Sequence, residues 1–140
     1  MAIFPEKDWF FKLKEKLNSD ERYAEIARNW EWDLLFVIEA DEVLKETLSV
    51  YLDLWHGTCR DVKIVEDERQ TQATFVLSAP YQNYVALLSG KLDPMQAMLT
   101  RKLRVRGNMA IMMRNVPTVL DFVRCCREIT DGFVGIAAQK

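Results

Sequence analysis

At 140 residues the chain is long enough to bury a core without disulfide or metal staples, and one domain spanning 1–140 is the economical reading. Apolar residues make up 49% and charged residues 29%, and a net charge of −2 supplies no global basic field to attract nucleic acid. The apolar run at 34–38 (LLFVI) falls far short of the roughly 20 residues of a membrane span, and three cysteines, two of them adjacent, fit neither a disulfide framework nor a zinc spacing.

Residues 5–17 place Trp9, Phe10, Leu13 and Leu17 on one stripe, which predicts an amphipathic helix with Pro5 near its first turn. Ser19 or Asp20 caps a second short helix that turns Tyr23, Ile26, Ala27 and Trp30 inward, so 1–30 reads as a helical N-terminal segment. From Glu31 the period drops to two, with Trp32, Leu34, Phe36, Ile38 and Ala40 alternating against Glu31, Asp33 and Glu39. Alternation returns in 47–55 and 58–66, joined by His56-Gly57, a pair suited to a tight hairpin turn. A polar turn over 66–70 leads into 72–79, where Ala73, Phe75, Leu77 and Ala79 share a side. The four strands are expected to form a meander.

Helices then take over. Pro80 opens one that buries Tyr81, Tyr84, Val85 and Leu88, and Gly90 stands where a helix-ending glycine should. Asp93-Pro94 supplies an N-cap and a first-turn proline for a helix from Met95 to about Thr100. Residues 102–107 alternate as a fifth strand, with Leu103 and Val105 inward and Lys102, Arg104 and Arg106 outward. Met109, Met112 and Met113 recur at helical spacing, and Pro117 opens a last helix that aligns Val116, Val119, Leu120 and Val123. From Thr130 the small-residue-rich tail is expected either to fray or to dock as an extended arm. The helices are too unevenly spaced for βαβ units. The pattern predicts an α+β fold, one sheet with the helices gathered on one face.

The catalytic inventory is thin. His56 is the only histidine and sits in a predicted turn, so a Cys-His or Ser-His arrangement would have to be built around a loop tip. The five glycines are single and far apart, which excludes a phosphate loop, and no metal-ligand spacing occurs. No catalytic residue, metal or cofactor is expected. Arg101, Lys102, Arg104 and Arg106 could meet phosphates, but no aromatic shares their face for base stacking, and charged outer strands also guard sheet edges. No nucleic-acid partner is expected. The N-terminus lacks the apolar stretch of a secretory signal, and the cysteine usage suits a reducing, cytoplasmic compartment.

Five of the six methionines fall within 89–113, and by periodicity alone such a cluster is core, because methionine fills irregular gaps. The residues around them add a second reading. A helix, then Gly90, Lys91-Leu92-Asp93-Pro94, a short helix centred on Ala97, a strand led by Lys102-Leu103 with Val105, and a closing Gly107 together resemble the sterol carrier protein 2 lipid-binding family. The element order agrees with that family from about Ala24 to Arg127. Arg101 stands where the family pattern has glycine, so the helix before it is expected to end without a left-handed residue. Asn108 replaces the usual aspartate and can still cap the next helix, and the final Ala-Ala-Gln-Lys does not match the Ser-Lys-Leu that sends some members to peroxisomes.

The resemblance implies a five-stranded, mostly antiparallel sheet covered by helices on one face, with an elongated apolar tunnel between the layers. Members bind fatty acids, fatty acyl thioesters, phospholipids or sterols, and act as carriers rather than catalysts. On that reading the inner strand faces line the tunnel with Trp32, Phe36, Phe75, Leu77, Leu103 and Val105. The helices add Met95, Met98 and Leu99, then Met109, Met112 and Met113, then Leu120. Arg101, Lys102 and Arg104 are candidates for a lipid head group or an anionic membrane surface. A long-chain lipid is the expected ligand and no other cofactor is called for. Two rivals remain open: an accessory interaction module of the same fold in an enzyme complex, and an enzyme acting on acyl thioesters through His56 or Asp93.

Overall fold

The computed structural model describes residues 1–67, 69 and 71–136; Glu68 and Gln70 of the expected polar turn, and the end of the tail, lie outside the described residues. In chain order the elements are β1 (Ile3–Phe4), α1 (Lys7–Ser19), α2 (Glu21–Ile26), β2 (Leu34–Glu39), β3 (Leu48–Trp55), β4 (Thr58–Val65) and β5 (Phe75–Pro80). There follow α3 (Tyr81–Leu88), α4 (Pro94–Leu99), β6 (Arg104–Arg106), α5 (Met109–Arg114), α6 (Val116–Ile129) and β7 (Gly132–Phe133). This is an α+β fold with a five-stranded, mostly antiparallel sheet in the order β4-β3-β2-β5-β6.

The strand order corrects the expected meander. β5 does not pair with β4; it lies parallel to β2 in a register that sets Phe36 against Leu77, and β6 then adds antiparallel to β5. The reason is visible in β2 itself. A strand apolar on both faces belongs in the middle of a sheet and needs a neighbour on each side. β3 supplies one and β5 the other. To reach that place the chain must pass three strand positions, about 14 Å, which the connection between Val65 and Phe75 spans with slack. Near its end Ala73 packs on a small cluster of Leu35, Val37 and Val76, on the face away from the helices.

Several local signals hold as read. His56 and Gly57 take φ of 49° and 80°, the left-handed pair of a type I′ hairpin turn, and Gly57 lies so close to α2 that a Cβ there would fall 2.7 Å from the Ala24 carbonyl oxygen. Asp93 caps α4, accepting from the Gln96 amide at 3.0 Å, and Asn108 caps α5 through the Ala110 amide at 2.9 Å. One expectation fails. The turn after α4 does contain a left-handed residue, because Arg101 itself adopts φ 61°. The tail docks rather than frays over its described part: β7 pairs in parallel with β1, and Asp131 accepts from the Ala2 amide at 2.7 Å.

The helical layer is tied together through α6. Arg124 donates to Asp20, the cap of α2, at 2.7 Å and to Asp121 at 2.8 Å, while Lys16 on α1 reaches both Asp20 and Glu128. Hydrogen bonds from Arg124 and the Tyr23 amide hold the Asp20 carboxyl well below the usual carboxylate range. Arg127 fastens the other side, donating to the Leu87 carbonyl oxygen at 2.9 Å at the end of α3.

Arg124→Ala removes the guanidinium shared by two largely buried carboxylates, leaving Lys16 to Asp20 and Arg22 to Asp121, and urea unfolding should show a loss of about 3 kcal/mol. The Asp20 contribution is full above the ordinary carboxylate value of 3.8 and is lost as pH falls through the depressed folded value, so the variant's stability should decline less steeply in acid. Arg101→Gly removes a side chain from a left-handed position and should raise unfolding free energy by about 1 kcal/mol.

Candidate functional site

The inner face of the sheet presents Leu34, Phe36 and Ile38 from β2, Leu54 from β3 and Leu77 from β5, and the helices do not fill the space above them. A void of about 90 Å³ remains, counted as the room open to the centre of a water-sized sphere, and its wall carries no polar surface. One water needs about 10–15 Å³ on that scale together with two to four polar partners. Room is ample and partners are missing, so the hollow suits hydrocarbon.

Polar tips near the wall are all turned away. The Tyr84 hydroxyl donates to the Leu77 carbonyl at 2.6 Å, the Trp30 indole to that of Trp32 at 2.7 Å, and the Trp9 indole to the Thr130 hydroxyl at 2.9 Å. Burial pushes the Tyr84 phenol well above its ordinary range, so it stays neutral. The thiols are similarly inert: burial raises Cys59 and Cys125 to about 11 each, and holds Cys126, on the cavity wall, well above the usual thiol value.

The two ends differ. Phe4, Trp9, Phe10 and Leu13 close one end, none more than 3% exposed, with Phe4 edge-on to Trp9 at 4.8 Å between ring centres. At the other end Leu88, Met98, Val119 and Val123 are only half-buried, and so is Phe36 although it stands on the central strand. The cavity is therefore blind under α1 and opens between the end of α3, α4 and α6.

Of the residues predicted to line a tunnel, Phe36, Leu77, Met98, Leu103 and Met112 meet at this cavity. Phe75, Trp32, Val105 and Met95 stand outside its wall: Phe75 is wholly buried and stacks on Trp30, Trp32 meets Trp30 edge-on, and Val105 pairs with Leu77 in the sheet. Leu99, Met109, Met113 and Leu120 are corrections, since they are 71%, 39%, 47% and 41% exposed. A helix of six residues buries only one side. In α4 that side is set by Pro94 and Ala97, in α5 by Met112, and in α6 by Thr118, Phe122 and Cys125 rather than the 116/120 row.

Among the charged candidates, Arg101 and Lys102 are exposed on the turn just after α4, next to Met98. Arg104 is a correction: it pairs with Glu39 and, one residue before Val105, faces the opposite side of the sheet. His56 lies 2.6 Å from Glu31 at the hairpin tip, and Asp93 is a cap; neither lines the cavity. Asp20, Asp121 and Cys125 bring ligand atoms within 4.8 Å of one another, but the cation between the carboxylates is Arg124. The aromatic blind end was missed, and its signal was the density of large rings in the first ten residues, read only as an amphipathic stripe.

An α+β sheet roofed by helices around a wholly apolar hollow defines the class. The chain belongs to the SCP-2 sterol transfer family, whose model matches residues 10–119. A crystal structure of sterol carrier protein 2 superposes with a TM-score of 0.79 at 31% identity, covering 88% of this chain and 96% of that one. The solution structure of a conserved hypothetical protein from Thermus thermophilus gives 0.81 at 28% identity over 99% and 96%. Hydroxysteroid dehydrogenase-like protein 2 of Pongo abelii is 33% identical over 85 residues, 54% of this chain. The match spans about a fifth (20%) of that curated relative's length.

Val123→Trp puts a large ring at the half-buried opening without overpacking the core. Fluorescence titration should show at least a tenfold weaker affinity for a fluorescent fatty acid, about 1.4 kcal/mol or more, with the thermal midpoint moved by less than about 4 °C.

Proposed function

We propose that the protein holds the hydrocarbon tail of a long-chain lipid in this cavity and carries or presents it, with no chemistry of its own. The supporting observation is a hollow closed at one end, apolar throughout and open at the other. Each CH₂ that the cavity buries yields about 0.8 kcal/mol gross, and ordering and association remove much of the sum. Binding of that kind is tight enough to carry and loose enough to release.

With no donor or cation inside, a ligand enters tail first and leaves its head at the opening, where Arg101 and Lys102 stand. Fatty acids, fatty acyl thioesters, phospholipids and sterols all fit that description, and membership of a sterol transfer family supports lipid cargo without choosing among them. The high thiol values and the place of His56 outside the cavity support a non-catalytic role. Three free, buried cysteines support a reducing, cytoplasmic setting. Among the described residues no helix is long and apolar enough to cross a membrane. A second reading, an accessory module beside an enzyme, draws on the match to one portion of a longer dehydrogenase-like protein.

Protein purified from its host should release a long-chain lipid into organic solvent, visible by mass spectrometry, and should bind a fluorescent fatty acid that oleate displaces. A lipid-free protein indifferent to oleate, but retaining one protein partner, would turn the conclusion to the accessory module.

A further inference from the structure

Two of the rings that close the blind end of the cavity, Phe4 and Trp9, precede residue 10, where the family match begins. The groups that hold them come largely from beyond residue 119, where it ends. The Val134 amide donates to the Phe4 carbonyl oxygen at 3.0 Å, and the Asp131 amide to that of Ala2 at 2.8 Å. The Trp9 indole donates to the Thr130 hydroxyl at 2.9 Å. This end of the cavity is thus closed by two distant stretches of the chain laced together through β1 and β7, with Phe10 and Leu13 of α1.

The closure is also interlocked. Trp9 meets Phe4 and Phe10 edge-on, at 4.8 Å and 4.9 Å between ring centres, and Phe4 stacks on Tyr81 at 6.0 Å. Moving one ring breaks its contacts with the others, and forcing an extra methylene into such packing costs more than its burial returns. The methionines on the wall behave differently. Met98 and Met112 carry unbranched thioethers that re-pack around a guest at little cost. The cavity therefore adjusts to the girth of a tail but not to its length. A tail that enters from the open end gains about fourfold in affinity for each methylene it buries, until its tip reaches the rings. Beyond that length the surplus stays in water at the opening and adds nothing.

We propose that Phe4, Trp9 and Phe10 form a stop for the end of the bound tail, and that their position sets the longest acyl chain the cavity takes in full. The proposal rests on the lipid-carrier reading and adds to it the residues that select tail length.

The test is displacement of a fluorescent fatty acid by saturated fatty acids of about 8 to about 20 carbons, each below its micelle concentration. Wild-type affinity should rise about fourfold per carbon up to one length and then level off. Phe4→Leu and Phe10→Leu each take about three carbons out of the wall and should raise that length by about two carbons. Phe75→Leu, at a wholly buried ring outside the cavity wall, should lose comparable stability and leave the length unchanged. In the wild type, a fatty acid isotopically labelled at its terminal methyl should show nuclear Overhauser contacts to the ring protons of Phe4 or Phe10. Affinity that climbs through the longest acid, one levelling length shared by the wild type and both stop variants, or a shift through Phe75→Leu as large as through Phe4→Leu would overturn the stop and leave the carrier reading intact. So would a terminal methyl in contact with Leu88 or Val123 at the opening instead of the rings. A wild type that binds none of the acids overturns the carrier reading first and the stop with it.

Discussion

Empty space between apolar side chains is costly. At about 24 cal/mol per Å³, a void of 90 Å³ destabilises the fold by about 2 kcal/mol, and packed cores close such gaps when they are free to move. Here the roof is not free. α6 is clamped to α1 and α2 through Arg124, Asp20, Asp121 and Lys16, and to the end of α3 through Arg127. Breaking a largely buried ion pair costs about 3–5 kcal/mol, more than closing the hollow would return. The polar ties therefore decide the shape of the apolar interior, and a guest that fills the void relieves it without disturbing them.

The same economy of placement keeps the interior greasy. Tyr84, Trp30 and Trp9 contribute rings to the wall while their polar tips bond to a carbonyl or hydroxyl beyond it. Were any of these tips turned inward, water would gain a partner and the hollow would hydrate. The crossover from β4 to β5 matters for a related reason. Its residue Ala73 packs on Leu35, Val37 and Val76 of the far face, an apolar cluster to which no helix contributes among the described residues.

Much of this was legible in the residues. The α1 stripe, the I′ turn at His56-Gly57 and the Asp93-Pro94 cap are each decided by neighbours within a turn or two, and local chemistry sufficed. The joint spacing around Gly90 to Gly107 carried the family. Strand order was less accessible, because alternation reports which face a residue takes and not which strand lies beside it. The five-residue apolar run in β2 did hold that information, since only a central strand is apolar on both faces. The site was half legible. In short helices, 95/98/99 and 109/112/113 are all admissible stripes, and what turns Leu99 and Met113 outward is the packing of Pro94, Ala97 and Met112, which periodicity does not contain.

Arg101 joins these threads. A left-handed residue ends α4, and glycine would hold that position about 1 kcal/mol more favourably. The strain is local, yet its consequence is positional: the left-handed turn sends the chain from Met98, on the cavity wall, directly into Leu103, also on the wall, with Arg101 and Lys102 exposed between them. A glycine would make the same turn with no charge at its tip. The chain instead carries a cation, beside a second one, between two residues of an apolar wall. The left-handed turn therefore sets both the path of the chain along the wall and the exposure of the two cations.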